Sequence, residues 1–173
     1  MTRVSDEKEE KPRVEPLTSS HDRSEFESGV EPLDRYFRRQ AGQDARKNMA
    51  AAFVLLLADG TIGGYCTLSS TAVLLDELPA QAVRKLPRYR LVPATLLGRL
   101  AVDRHQQGKG YGRFLLADAL YRAARSEIAS FAMIVDAKDE NASRFYQRES
   151  FLPFPNQPMK LFRPMADIRS LFD

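Results

Sequence analysis

The sequence predicts an α/β (α+β) fold in a single domain, with a mixed central sheet of about six to seven strands and helices on both faces. Short apolar runs that are typical of buried strands alternate with segments of helical periodicity. A chain of 173 residues, with 43% hydrophobic and 28% charged residues, suits one soluble domain with a proper core. The apolar runs are too short to cross a bilayer, and the N-terminus has no apolar signal core. We therefore expect a cytoplasmic protein with no membrane partner.

The first third of the chain predicts a tail, a short strand and two helices. Residues 1–16 are charged and contain two prolines, so we expect a flexible tail that enters a short strand near residues 13–17. Apolar residues at helical spacing predict a helix over residues 31–41. Gly42 is expected to end that helix, and a second short helix is predicted over residues 43–49.

The middle of the chain predicts a hairpin and a central strand. Continuous apolar character predicts a buried strand over residues 53–57. The pair Asp59-Gly60 is typical of a tight hairpin turn, which leads into a return strand over residues 62–70. The other predicted elements are a short helix near residues 80–85, within a basic segment punctuated by prolines and ending in a mobile loop, and a strand over residues 95–102.

The second half of the chain predicts two helices, a strand and a final hairpin. The elements are a helix over residues 110–125, a strand over 131–135, a helix over 141–148 and hairpin strands over 151–154 and 159–162. On the longer helix, one face is predicted to hold Phe114, Ala117, Tyr121 and Ala124. Asp139 or Asn141 is expected to cap the shorter helix.

A glycine-rich run between the central strand and the longest helix is the most informative motif. Gln107-Gly108-Lys109-Gly110-Tyr111-Gly112 lets backbone amides approach an anion closely, and the helix N-terminus adds partial positive charge. We therefore expect a ligand that carries a pyrophosphate. The run lacks the Gly-Lys-Ser/Thr of a Walker loop, and it fits a Rossmann fingerprint poorly, although Asp136 follows a strand. The alternative is a helix start with turn glycines and no ligand.

Two further segments accompany this loop. Arg99-Leu100-Ala101-Val102 precedes it, and a later segment that begins at Asp139 ends in the pair Phe145-Tyr146. Together these segments resemble the GNAT acetyltransferase superfamily, whose acetyl-CoA loop has the pattern Gln/Arg-x-x-Gly-x-Gly/Ala. Within that superfamily the resemblance narrows to the GNAT toxins of bacterial toxin–antitoxin modules, and it extends over residues 17–162.

The resemblance implies a GNAT fold and an acetyl-CoA-dependent N-acetyltransferase that releases CoA. Such toxins acetylate the α-amino group of aminoacyl-tRNA and stop translation, so an aminoacyl-tRNA substrate, a cognate antitoxin and a homodimer are expected. The GNAT domain is expected over residues 17–165, with a C-terminal extension over residues 166–173. The implied cofactor-binding residues are Leu100, Ala101, Val102, Gln107, Gly108, Lys109, Gly110, Tyr111, Gly112, Arg113, Asp139, Asn141 and Phe145.

Tyr146 is the expected catalytic residue, because a phenol keeps its proton at neutral pH and can donate it to a leaving thiolate. The alternative is a tyrosine that only orients CoA or packs. No general base stands out: an α-amino group is already partly neutral at pH 7, and Asp139 and Glu140 are more typical of a cap or a surface. The run Glu149-Ser150-Phe151 departs from the family pattern, which usually has an apolar residue followed by Gly-Phe.

The net charge of +3 is distributed unevenly along the chain. Residues 1–31 hold five basic and nine acidic residues, a net charge of −4, so residues 32–173 carry +7. A basic surface attracts phosphate backbones, and the alternative is an ordinary solvated helix face. The residues expected to bind tRNA are Arg35, Arg38, Arg39, Lys47, Arg88 and Arg90.

The remaining reactive residue types predict little chemistry. A single cysteine, Cys66, excludes an intramolecular disulfide, and its strand-like surroundings favour a buried core residue over a reactive thiol. His21 and His105 lack the clustered partners of a metal site, and His105 is expected to be a solvated loop residue rather than a catalytic one. Two other functions stay open: an N-acetyltransferase for a small-molecule or protein amine without tRNA contact, and a non-catalytic CoA-binding interaction module.

Overall fold

The computed structural model describes residues 11–173. Its strands are β1 (Arg13–Pro16), β2 (Ala51–Leu56), β3 (Ile62–Leu74), β4 (Leu91–Val102), β5 (Ala132–Asp136), β6 (Leu152–Phe154) and β7 (Gln157–Pro164). They form one seven-stranded sheet in the order β1-β2-β3-β4-β5-β7-β6. The sheet is mixed, because β4 pairs with β5 in parallel whereas β1–β2, β5–β7 and β6–β7 are antiparallel pairs.

Helices precede, interrupt and follow these strands. They are α1 (Glu31–Arg39), α2 (Ala41–Arg46), α3 (Ala80–Val83), α4 (Tyr111–Arg125), α5 (Glu140–Arg148) and α6 (Met165–Ser170), with short 3-10 turns at Leu75–Glu77 and Arg104–Gln106. The predicted α/β class is confirmed. No helix among residues 11–173 combines the length and the apolar character that crossing a membrane requires.

The described residues form two compact units, of which the first comprises residues 11–65 together with Ala101–Leu115. Its core is aromatic: the ring of Phe37 stacks on Tyr65 with centroids 4.2 Å apart, and Phe26 meets Phe37 edge-on at 4.9 Å. The predicted Asp59-Gly60 turn is confirmed. Gly60 has a φ of +85°, and the side chain of Asp59 accepts a hydrogen bond from the Thr61 amide.

The second unit comprises Cys66–Leu100 and Leu116–Asp173. Its core includes Val73, Leu78, Val83, Val92, Ala94, Ala132, Ile134, Phe154 and Phe162. The ring of Phe154 on β6 meets Phe162 on β7 edge-on at 5.5 Å. The predicted final hairpin is therefore confirmed, and apolar residues from both of its strands fix it to this core.

The structure locates three of the predicted features more exactly. The short first strand is confirmed as β1, so the sheet begins inside the segment assigned to the tail, whose first ten residues lie outside the described part. Gly42 does not end the first helix: the break falls at Gln40, and Gly42 lies inside α2. The face of α4 that was predicted to hold Phe114, Ala117, Tyr121 and Ala124 is not the core side, because Phe114 and Tyr121 are exposed. The buried residues of α4 are Leu115, Leu116, Ala119, Leu120 and Ala123.

Candidate active site

The glycine-rich loop joins the end of β4 to the start of α4. Gly108 and Gly110 have φ angles of +79° and +84°, which favour glycine, although the space where a Cβ would lie is open at both. The backbone N–H groups of residues 108–112 have no hydrogen-bond partner among residues 11–173. Consecutive unpaired amides before a helix N-terminus form an anion site, so this loop fits the diphosphate expected from the sequence.

The side chain of Gln107 holds this loop in place. Its Nε2 donates to the carbonyl oxygens of Ser28, at 2.9 Å, and Val102, at 3.1 Å. Ser28 is fixed in turn by Asp34, whose Oδ1 accepts bonds from the Ser28 amide at 2.9 Å and from the Ser28 hydroxyl at 2.5 Å. The Gln107 amide therefore positions the loop through hydrogen bonds to the chain.

Asp34 is a supporting residue that the sequence analysis missed. It lies on α1 and only 2% of its surface is exposed. The sequence did contain an indication of its burial, because Asp34 has the same helical spacing as the buried residues Phe37 and Ala41. A carboxylate on a buried helix face needs a hydrogen-bond partner, and Ser28 provides it.

Asp103 organises the turn between β4 and the loop. Its Oδ1 accepts from the His105 amide at 3.0 Å, and its Oδ2 accepts from the Glu27 amide at 3.1 Å. Arg104 strengthens the same connection, since its amide donates to the Glu27 carbonyl and its guanidinium pairs with the Glu27 carboxylate. The imidazole of His105 is 79% exposed beside Asp103, in agreement with a solvated loop residue.

Tyr146 lies on α5 and is 8% exposed. Its ring meets Phe145 and Phe151 edge-on, with centroids 5.1 and 5.5 Å away. The hydroxyl group has no hydrogen-bond partner among the described residues. Burial raises the pKa of this phenol well above its usual range, and the nearby Cys66 thiol adds to the effect. Tyr146 therefore keeps its proton at neutral pH and has a hydroxyl available to a ligand.

The C-terminus of α5 ends in a Schellman motif directly after Tyr146. The Phe151 amide donates to the Tyr146 carbonyl at 3.0 Å, and the Ser150 amide donates to the Gln147 carbonyl at 3.1 Å. Ser150 has a φ of +69°, the left-handed conformation that usually selects glycine here. The missing glycine therefore leaves the turn type unchanged, and Ser150 adopts the strained conformation in its place.

The structure shows which of the two candidates, Asp139 or Asn141, caps the N-terminus of α5. Asp139 is the N-cap: its Oδ1 accepts a hydrogen bond from the Ala142 amide at 2.8 Å. Asn141 lies in the first turn, where its side chain accepts from Arg144, and Glu140 pairs with the same arginine. Asp139 and Glu140 thus have the cap and surface roles that their positions favoured.

Cys66 is fully buried, as predicted for a core residue. Burial, together with the nearby carboxylate of Asp118, raises the pKa of its thiol to about 12. Since the thiolate is the reactive form, this cysteine is inert at neutral pH.

The six basic residues expected to bind tRNA fall into two groups. Arg39, Lys47, Arg88 and Arg90 are exposed, and their side chains have no hydrogen-bond or ion-pair partner among residues 11–173. Arg35 pairs with Glu31 at 3.6 Å, and Arg38 donates from Nη1 to the Phe26 carbonyl at 2.7 Å. In the same part of the chain no group of His, Cys, Asp and Glu could hold a metal ion.

Comparison with known proteins identifies the family. Residues 14–151 match the Acetyltransferase (GNAT) family. The chain belongs to this family. As a GNAT acetyltransferase it uses acetyl-CoA as its acetyl donor.

Similar GNAT proteins match this chain over most of its length. A "tRNA-acetylating toxin" of Mycobacterium tuberculosis is 35% identical over 157 residues, which cover 90% of this chain and 93% of that protein. The structure of AtaT complexed with acetyl-methionyl-tRNAfMet is 28% identical, with a TM-score of 0.85 over 94% of this chain and 99% of that one. The structure of an AtaT variant bound to acetyl-CoA and the C-terminus of the antitoxin AtaR is 26% identical, with a TM-score of 0.77 and coverage of 94% and 99%.

Proposed function

We propose that this GNAT acetyltransferase acetylates the α-amino group of aminoacyl-tRNA, and that it is a toxin that blocks translation until an antitoxin binds it. The observation that carries the proposal is the likeness, over 90% of the chain, to a tRNA-acetylating toxin. A cognate antitoxin is proposed because AtaT, a structural neighbour, is seen bound to one. We further propose a homodimer in the cytoplasm, where charged tRNA is found.

The loop and the end of β4 bind the cofactor in this proposal. Acetyl-CoA supplies the acetyl group as a thioester. The amides of residues 108–112 donate hydrogen bonds to its diphosphate, and Lys109, whose Nζ lies 3.0 Å from Gln106 Oε1, adds positive charge at the rim. Backbone groups of Leu100 and Val102 form hydrogen bonds to the pantetheine arm, in the way that a strand pairs with an extended ligand.

Tyr146 supplies the proton for the leaving thiol. Its hydroxyl is protonated at neutral pH, because burial raises its pKa, and no described residue competes for its hydrogen bond. A positioned general acid accelerates such a step by about 10²- to 10⁴-fold. The ring contacts with Phe145 and Phe151 fix the direction in which the hydroxyl points.

The attacking amine needs little help from the protein. An α-amino group has a pKa of about 8, so about a tenth of it is already neutral at pH 7. This agrees with the capping role of Asp139 and with the ion pair between Glu140 and Arg144, since both carboxylates at the start of α5 are engaged within the helix. The phosphates of the tRNA are proposed to bind the exposed basic residues Arg39, Lys47, Arg88 and Arg90. The side chains of these residues have no partner in the described chain.

The direct test is to incubate the protein with labelled acetyl-CoA and a pool of charged tRNAs, and to identify the labelled product. We expect label on the amino acid of charged tRNA, none on uncharged tRNA, and little with the Tyr146→Phe variant. Affinity for tRNA should fall steeply as salt rises, because counterions are released on binding. Label on a small amine or a protein but not on aminoacyl-tRNA would overturn the proposal.

A further inference from the structure

An exposed tyrosine between two arginines is not used by the site described above. Tyr89 is 72% exposed and makes no hydrogen bond, ring contact or ion pair with any residue from 11 to 173. The side chains of its neighbours Arg88 and Arg90 also have no partner there. All three line a cavity of about 510 Å³, whose other walls are mostly apolar.

The walls of this cavity are fixed by buried residues. Leu78 and Val83 belong to the core of the second unit, and the Leu75 amide donates to the Arg90 carbonyl at 2.9 Å. Asp76, in the 3-10 turn, is the acidic residue of the lining. The cavity is therefore preformed and has the size of a small-ligand pocket.

Tyr121 shows how an exposed tyrosine is otherwise accommodated in this chain. It lies on α4, where Arg125 stacks over its ring at 4.8 Å and Phe172 meets it edge-on at 5.3 Å. The ring of Tyr89 has no such neighbour, although two guanidinium groups flank it in sequence. An uncovered aromatic face next to unpaired cations is the combination that binds single-stranded nucleic acid.

We propose that an unpaired base of the tRNA stacks on Tyr89 and enters this cavity, while Arg88 and Arg90 bind the phosphates on either side. The inference rests on the proposed function, since it assigns this surface to the same substrate. The Asp76 carboxylate accepts a hydrogen bond from an exocyclic amino group of the base, which favours guanine, adenine or cytosine over uracil, since uracil has no such group. The flanking positive charge favours RNA over an apolar peptide as the occupant.

The experiment compares Tyr89→Ala, Tyr89→Phe and the control Tyr121→Ala in the full-length protein. Binding of uncharged tRNA, and of a short single-stranded RNA containing 2-aminopurine, is measured over a range of salt concentrations. We expect Tyr89→Ala to weaken binding about tenfold without changing the salt slope, and Tyr89→Phe and Tyr121→Ala to bind like the wild type. Arg88→Gln should instead make the slope shallower by about one.

Kinetics separate this inference from the proposed function. With charged tRNA, Tyr89→Ala should raise KM about tenfold with little change in kcat, because stacking contributes to binding and not to acyl transfer. Unchanged RNA affinity in Tyr89→Ala overturns the inference, and so does a loss that appears only in binding of a protein partner. If the wild type acetylates no tRNA, the proposed function fails, and the 2-aminopurine signal still decides whether Tyr89 stacks on a base.

Discussion

Arg163 on β7 donates a hydrogen bond from Nη1 to the carbonyl oxygen of Glu149, 3.0 Å away. Glu149 is the C-cap of α5, the helix that carries Tyr146. Arg163 is only 8% exposed, and its Nε has no partner among residues 11–173. A cation at a helix C-terminus is favourable, so this arginine stabilises the end of α5 at the cost of a buried donor left unpaired.

Arg163→Met should lower the free energy of unfolding by about 1 kcal/mol, because the Glu149 carbonyl loses its partner while an unpaired buried donor is removed. We also expect kcat to fall severalfold with unchanged acetyl-CoA affinity, since the end of α5 that follows Tyr146 loosens. Urea unfolding, steady-state kinetics and calorimetry measure the three quantities. Arg169→Met, an exposed arginine on α6, is the matched control. A folded Arg163→Met variant with wild-type kcat would contradict the positioning role.

Ser150→Gly should stabilise the protein by about 0.5–1 kcal/mol, because glycine adopts the left-handed conformation without the strain that a Cβ causes. Ser150→Val should destabilise it, since β-branched residues are the least tolerant of a positive φ. Both are measured by urea unfolding of the full chain. Equal stability of the glycine and valine variants would show that the turn carries no such strain.

Tyr146→Phe should retain acetyl-CoA binding and lose most of its turnover, by about 10²-fold or more, because the ring contacts remain and only the proton donor is removed. Calorimetry gives the affinity, and a labelled-acetyl assay gives kcat. Tyr121→Phe removes a hydroxyl from an exposed ring that has no role in the proposed reaction, and it should behave like the wild type. Turnover near the wild-type rate in Tyr146→Phe would remove this residue from the mechanism.

Gln107→Ala should weaken acetyl-CoA binding about tenfold, because two hydrogen bonds that hold the loop to the Ser28 and Val102 carbonyls are lost. We expect kcat at saturating acetyl-CoA to change less than the affinity. Gln106→Ala is the control, since Gln106 accepts only a surface bond from Lys109 Nζ in the described chain. Similar losses in both variants would mean that the Gln107 anchors do not organise the loop.

Stability should decline in alkaline solution. Burial raises the pKa of Cys66 from 9.0 to about 12, so between these values the folded chain keeps a proton that the unfolded chain releases. The stability that depends on this proton is fully present below about pH 9. It is lost as the pH rises toward 12, and the free energy of unfolding then falls by up to about 1.4 kcal/mol per pH unit. Unfolding in urea between about pH 9 and 11 measures the slope, and Cys66→Ala should reduce it. Identical slopes in the two proteins would contradict the assignment.

Local patterns in the sequence were sufficient for the elements that depend on neighbouring residues. The Asp59-Gly60 turn, the Asp139 cap and the glycine loop each depend on a few adjacent positions. The exposed face of α4 could not be predicted in this way, because both sides of that helix carry apolar residues and the packing partners decide which side is buried.

The supporting contacts of the site depend on residues far apart in the chain. Ser28 and Gln107 are separated by 79 positions, and Glu149 and Arg163 by 14. No periodicity connects such pairs, so the role of Arg163, and the identity of the partner of Asp34, emerge only from the folded chain. Tyr89 was also missed, because an aromatic residue in a proline-punctuated segment is normally assigned to packing.

The two edge strands of the sheet are short, and each contains a proline. β1 has four residues and ends in Pro16, whereas β6 has three residues with Pro153 at its centre. Proline offers no N–H to an incoming strand, and so short a ladder provides few bonds to a neighbour. Stacking of copies into a fibre through these two edge strands is therefore disfavoured.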